Sequence, residues 1–218
     1  TLALPGALEG NLAIDRYSAT LAADGTLTEH YDYLVKSPGI YRMLFRTWEV
    51  PLAGTPLPRP SVEVIGLQVP DGTIGYYRDY QGQVTIYGMS TEQERSTIQS
   101  LVQDNEIGFY NPSYFPAGTY SVDFTYRLHP PIEYDPRWSH LNLRLADQHV
   151  PYHSVQVSIQ SAGVESVFPY PPFLAVRDNG GTMTISGSAA TNEVVGAEVV
   201  ASRDYMVNWA GFPNSVAD

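Results

Sequence analysis

The sequence predicts an all-β protein, an antiparallel β-sandwich of immunoglobulin or jelly-roll kind with one short helix inserted around residues 90–105. Three observations carry this. The run 119–129, TYSVDFTYRLH, places Tyr120, Val122, Phe124, Tyr126 and Leu128 on one face of an extended chain and Thr119, Ser121, Asp123, Thr125, Arg127 and His129 on the other. That period belongs to a half-buried strand, expected at the centre of a sheet that packs on a second sheet. The chain holds 17 Pro and 18 Gly, punctuation that suits many short strands joined by turns. The crossover helices that a parallel α/β sheet requires are missing from the pattern.

The elements follow in order. Alternation from Tyr17, then Asp24-Gly25, then TLTEHYDYLV read as a hairpin with a type I′ turn. Leu27, Tyr31, Tyr33 and Val35 share the second strand's inner face, with Glu29 near its open end. Ser37-Pro38-Gly39 turns the chain into IYRMLFRTWEV, bulky on both sides and expected to be covered on both. Pro51 to Pro60 is loop. SVEVIGLQV, TIGYYRDY and QVTIYGM are further strands, with Gly66 marking a bulge. A capping box, Ser90 with Gln93 or Thr91 with Glu94, opens the helix. Ile98, Leu101 and Val102 give it a narrow apolar stripe. Beyond the alternating strand come a Leu141-Leu143-Leu145 strand, a Val155-Val157-Ile159 strand, the run GVESVFPYPPFLAV, a hairpin turn at Asp178 to Gly181, the runs TMTISGS and VVGAEVVAS, and a polar, irregular tail.

The totals bound the class. With 218 residues, 43% hydrophobic and 16% charged, the chain can bury a real core. One domain is expected over 1–218, its core at about 10–205, and the prolines near 169–172 form the only candidate boundary. Twelve basic against 23 acidic residues give a net charge of −11, a surface that repels phosphate backbones; nucleic acid is not an expected partner. The absence of cysteine excludes thiol catalysis, disulfides and Cys-ligated zinc. No run of about 18 apolar residues is present to span a bilayer. Thr1 is not an initiator residue, so the chain is expected to be processed or cut from something longer.

Several landmarks occur in a telling order: Asp24-Gly25, Glu29, Gly39-Ile40-Tyr41-Arg42, the strand from Gly118 to Tyr126, and Trp138. In this order the chain resembles the N-terminal ectodomain of YciQ-like predicted membrane proteins, a family of unknown function, over about residues 10–205. The resemblance implies an extracytoplasmic, cell-surface domain anchored in the membrane through segments absent from this chain, with no assigned reaction and no cofactor.

Candidate chemistry is sparse. His149 and His153, with His140 and Asp147 nearby, have zinc-ligand composition, but Pro151 excludes the helix on which i, i+4 histidines would meet; no metal site is expected. Glu29, Glu49, Glu63 and Glu133 offer carboxyls for a hydrolase, yet no spacing selects a pair, and Ser186-Gly187-Ser188 lacks a nucleophile elbow. No catalytic residue and no enzyme are therefore expected. Sixteen Tyr and three Trp supply the binding candidates. Tyr110, Tyr114, Tyr134 and Trp138, with Tyr41 and Arg42, could anchor a protein or stack on a glycan. Arg42 is expected to pair with Glu29 across the hairpin. The expected function is a non-catalytic binding or cell-envelope structural module, with a carbohydrate-binding module and a hydrolase as the alternatives.

Overall fold

Strands β1 (Leu12–Leu21) and β2 (Thr26–Val35) form the first hairpin of a computed structural model that describes residues 10–49, 52, 61–206, 209 and 212–215. The turn between them corrects the type I′ expectation. Gly25 N bonds to Ala22 O, and Gly25 alone takes positive φ, +81°. This is a type I turn closed by a left-handed glycine. Asp24 accepts from Thr26 N and so caps the turn.

The alternating run is β8 (Gly118–Leu128), and its Val122, Phe124, Tyr126 and Leu128 are buried. It pairs with β2 on one side and β4 (Val62–Gln68) on the other, one strand in from the edge rather than at the sheet centre. The bulge before Gly66 is present, with the register slipping between Val64 and Gly66. The full seven-stranded order is β13 (Ala175–Asp178), β14 (Thr182–Ala189), β11 (Tyr152–Gln160), β1, β2, β8, β4. β1 and β11 run parallel, a departure from a purely antiparallel sandwich.

Two smaller sheets complete the all-β, sandwich-like fold. One has the order β12 (Val164–Tyr170), β15 (Val195–Ser202), β10 (Trp138–Ala146), β9 (Pro131–Tyr134), β16 (Phe212–Ser215). The other has β3 (Met43–Thr47), β7 (Glu106–Tyr110), β5 (Ile74–Arg78), β6 (Val84–Tyr87). β16 pairs parallel with β9, where an irregular tail was expected. One core joins all three sheets, with Leu27, Tyr31 and Phe124 from the first, Leu141, Leu143 and Val199 from the second, and Leu44 and Phe109 from the third. Residues on both sides of the 169–172 prolines, Val167 and Leu174 among them, share it.

β3 is shorter than the strand expected from Ile40 to Val50, and Phe45 is 41% exposed, so only its Leu44, Arg46 and Trp48 side is covered. His129, expected on the wet face, is buried, with its ring facing Trp209 O and Glu63. Apart from Leu52, the loop from Pro51 to Pro60 lies outside the described residues, as do residues 1–9 and 216–218.

The helix α1 (Glu92–Leu101) starts at Thr91, whose hydroxyl accepts from Glu94 N while Glu94 reaches back to Thr91 N. Ile98 and Val102 pack on Ile74, Tyr76 and Tyr110 of the four-stranded sheet. Beneath them lies Glu106, which accepts from Tyr76 Oη at 2.7 Å and Gln103 N at 3.1 Å. Burial raises its carboxyl above the ordinary 4.5, against the lowering effect of these bonds. The folded protein therefore holds this proton more tightly than the unfolded chain. The stability it contributes is fully present below the ordinary glutamate value and is lost as pH rises through the raised one. Urea unfolding from about pH 4 to about pH 8 should show the wild type losing stability relative to E106Q as pH rises; parallel pH profiles would refute this.

Candidate functional site

The centre of the molecule is a buried ion pair. Glu29 projects from β2 to the inside of the seven-stranded sheet because it alternates in step with Leu27, Tyr31 and Tyr33. Its partner is Arg46, not the expected Arg42: Arg46 Nη1 donates to Glu29 Oε2 at 2.6 Å. Arg46 keeps step with Leu44 and Trp48 on the covered side of β3, whereas Arg42 precedes the strand. The carboxylate also accepts from Tyr17 Oη at 2.7 Å and Tyr31 Oη at 3.2 Å. Arg46 Nη2 donates to Leu145 O of β10 at 2.6 Å, and the guanidinium carbon lies 3.5 Å from the Trp48 ring centroid. One side chain thus holds all three sheets.

Tyr17, Tyr31, Tyr33, Tyr126 and Tyr152 wall this pair, with ring centroids 4.8 Å apart for Tyr17–Tyr31 and 5.1 Å for Tyr17–Tyr152. Burial, with the nearby Glu29 charge, holds the Tyr17 hydroxyl well above its ordinary range, so it remains a donor to that carboxylate. Burial works against the Arg46 charge, but Glu29 and the tyrosine oxygens more than offset it.

The G-I-Y-R segment builds a separate corner. Gly39 N bonds to Phe115 O and Phe115 N to Tyr41 O, which lace this segment to residues 111–116. Arg42 donates to Tyr110 Oη and Pro112 O, with its guanidinium 4.9 and 5.1 Å from the Tyr110 and Tyr114 ring centroids. Tyr110 is buried, Tyr41 half-buried, and Tyr114 and Ile40 exposed. Tyr134 and Trp138 belong to the five-stranded sheet, where Arg203 lies over the Tyr134 ring at 5.2 Å. The six binding candidates therefore fall into two groups, one beside the end of the four-stranded sheet and one on the five-stranded sheet.

The other candidates are tied individually. Glu49 meets Arg144 at 3.0 Å, Glu63 meets His129 at 3.4 Å and Glu133 meets His140 at 3.0 Å. The His149 ring lies between Val150 O and Glu193 O, each at 2.6 Å, and His153 faces Asp15 at 3.3 Å. On the outer face of the large sheet His30 bridges Asp32 and Asp123, and Ser121 bonds to Asp32 rather than to the imidazole. Among the described residues no three His, Cys, Asp or Glu side chains converge in a metal-binding group.

Sequence reading passed over Arg46, although a charge in register with Leu44 and Trp48 was the available signal. It also missed Trp209, which is buried and donates from its indole to Ala23 O, closing the first hairpin turn. Two cavities flank the ion pair, both lined by Arg46, Thr47, Ala146 and Asp147. The smaller is about 200 Å³ and continues along Leu141 to Leu145; the larger is about 430 Å³ and continues along Met43 to Phe45 and past Tyr33 and Tyr152. R46M leaves Glu29 charged and buried, and should cost about 3–5 kcal/mol in urea unfolding. The E29Q/R46M double variant should lose less than R46M alone, and R42M only about 1 kcal/mol.

The description "Predicted membrane protein (DUF2207) N-terminal domain" belongs to a family model that matches residues 13–201. No curated protein matches the chain. Similar solved structures include an M1 zinc metallopeptidase from Deinococcus radiodurans, at 12% identity and TM-score 0.42, over 88% of this chain and 42% of that one. A two-domain M1 zinc metallopeptidase variant bound to L-tryptophan gives 13% and 0.42, over 88% and 43%. Legionella pneumophila aminopeptidase A with aspartic acid gives 6% and 0.43, over 88% and 21%. The chain spans less than half the length of each of these proteins, and likeness at this level says nothing of activity. On the match over residues 13–201, the chain belongs to the DUF2207 family of predicted membrane proteins, as its N-terminal domain.

Proposed function

We propose that this domain is a non-catalytic binding or envelope-structural module, held on the extracytoplasmic side of a membrane by other segments of its protein. The observation that carries the reading is the state of its reactive groups. Glu29 and Arg46 are spent on each other and on three strands. The histidine–carboxylate contacts described above bridge neighbouring strands and loops. The one hydroxyl in the His30 cluster serves a carboxylate, whereas nucleophilic catalysis needs it beside the base. The net charge of −11 supports the placement, because an anionic cytoplasmic leaflet repels such a surface.

A second reading, glycan binding, has its own support. Trp138 is 40% exposed and Phe168 54% exposed on the outer face of the five-stranded sheet. Phe168 stands in register with Glu198, and Glu198 with Asn142, so an aromatic ring adjoins polar groups on one surface.

Topology reporters decide the placement. A periplasmic-active reporter fused after residue 218 of the full-length protein should be active, and a cytoplasm-active one silent. The reverse pattern would sink the extracytoplasmic reading. A glycan array probed with wild type and W138A separates the two kinds of binding. Retention that W138A loses would favour the glycan, and an empty array the protein partner.

A further inference from the structure

The space between β3 and β10 has the form of a missing strand. The larger cavity is walled by Met43, Leu44, Phe45, Arg46 and Thr47 in unbroken succession. The face of a strand contributes alternate residues, whereas its edge contributes consecutive ones. β3 is the outer strand of its sheet, paired among the described residues with β7 alone. Arg42 O and Trp48 N bond toward that partner. By alternation, the backbone groups of Met43 and Phe45 point the other way, into the groove.

Ala146 to Val150 form the opposite wall of the larger cavity, and β10 itself walls the adjoining smaller one, across from Arg46 to Glu49. Leu141 to Asp147 line the smaller cavity consecutively. β9 pairs with β10 only at Ser139 and His140, so beyond His140 this edge of β10 has no strand against it among the described residues. On the core side of the gap, the Arg46 side chain reaches Leu145 O. The floor is apolar, with Ile14, Tyr33, Leu44 and Tyr152. At the mouth Glu49 and Asp147 share a hydrogen bond, which lifts the Glu49 carboxyl above its ordinary value even with Arg144 beside it. Two carboxyls so placed favour an incoming cation.

We propose that this groove takes an extended peptide segment of a partner protein as an added strand, apolar at alternate residues and basic where it meets Glu49 and Asp147. Unpaired backbone edges supply the affinity in this mode, and alternate side chains the specificity. A second copy of the chain is disfavoured as occupant, because each copy carries 23 acidic residues against 12 basic ones. The proposal rests on the reading of the domain as a binding module and names its partner.

The test titrates the 218-residue chain with acetylated, amidated heptapeptides of alternating Val and Thr, with Lys at either end. Calorimetry should give binding, and hydrogen exchange should slow at the Met43 and Phe45 amides. Replacing Lys by Glu in the peptide should weaken binding about tenfold or more. N-methylation at alternate peptide residues should abolish it, since the side chains stay and the ladder cannot form; this control needs no change in the protein. F45P, which removes a groove-facing N–H and leaves the β7 ladder, should lose binding with the melting temperature held. No binding at about 1 mM, equal binding of the N-methylated peptide, or protection confined to other strands would overturn the proposal. If the peptides fail while the reporters place the domain outside the membrane, the groove alone is refuted. If they bind while the reporters place it inside, only the extracytoplasmic reading falls.

Discussion

Three sheets meet at one guanidinium. Moving Arg46 and Glu29 out of water costs several kcal/mol per ion, and their attraction offsets this only if the remaining donors and acceptors are matched. The matching is nearly complete. Glu29 takes two tyrosine hydroxyls besides Arg46, and Arg46 takes Leu145 O and the Trp48 ring. Each partner comes from a different part of the chain, so the pair is satisfied in one arrangement of β1, β2, β3 and β10 and in no slipped one. A one-residue slip of β2 would turn Glu29 to solvent and leave Arg46 unpaired in the core.

That constraint also shapes the surfaces. A strand reaching Glu29 through its own side chain need not hydrogen-bond to the sheet it faces. Among the described residues β3 pairs with β7 on one edge and with no strand on the other, and β10 is open in the same way beyond His140. The partner strand gives way to make room: Gly108 stands opposite Phe45, and a Cβ there would lie 2.4 Å from Leu44 O. Open edges are normally blunted by charge or proline because they invite pairing. Here they line two adjoining cavities, the smaller of which carries Glu49, Asp147 and Arg144.

Much of the fold was legible in the residues. The alternation of β8, the Thr91–Glu94 capping box, the Gly66 bulge and the Leu-rich β10 each rest on local physics: a two-residue period, a hydroxyl near an orphan N–H, an extra residue in a ladder. The candidate site was legible only in part. Glu29 was marked from its place in the family pattern, but the arginine paired with it was the wrong one of two that share a strand face four residues apart. Tyr41, Tyr110 and Tyr114 were grouped with Tyr134 and Trp138 by composition, and the fold separates them, the first three at the end of the four-stranded sheet and the last two on the five-stranded sheet. Nothing in the local pattern of the last residues showed that Trp209 closes the first turn, 186 positions away from the carbonyl it binds.

By itself the sequence determined that the chain is β-rich and acidic, that it carries one capped helix, and that it shares the landmarks of a membrane-protein family. These are properties of composition and of neighbours in the chain. Only the tertiary structure decided that the strands divide into three sheets, that β1 and β11 run parallel, that Arg46 rather than Arg42 holds Glu29, and that among the described residues two edges stay unpaired. Long-range pairing carries these choices. The free energy that selects a partner for Glu29 comes largely from burying it with Tyr17, 12 residues before it, and Arg46, 17 residues after it, and a local pattern records no such distance.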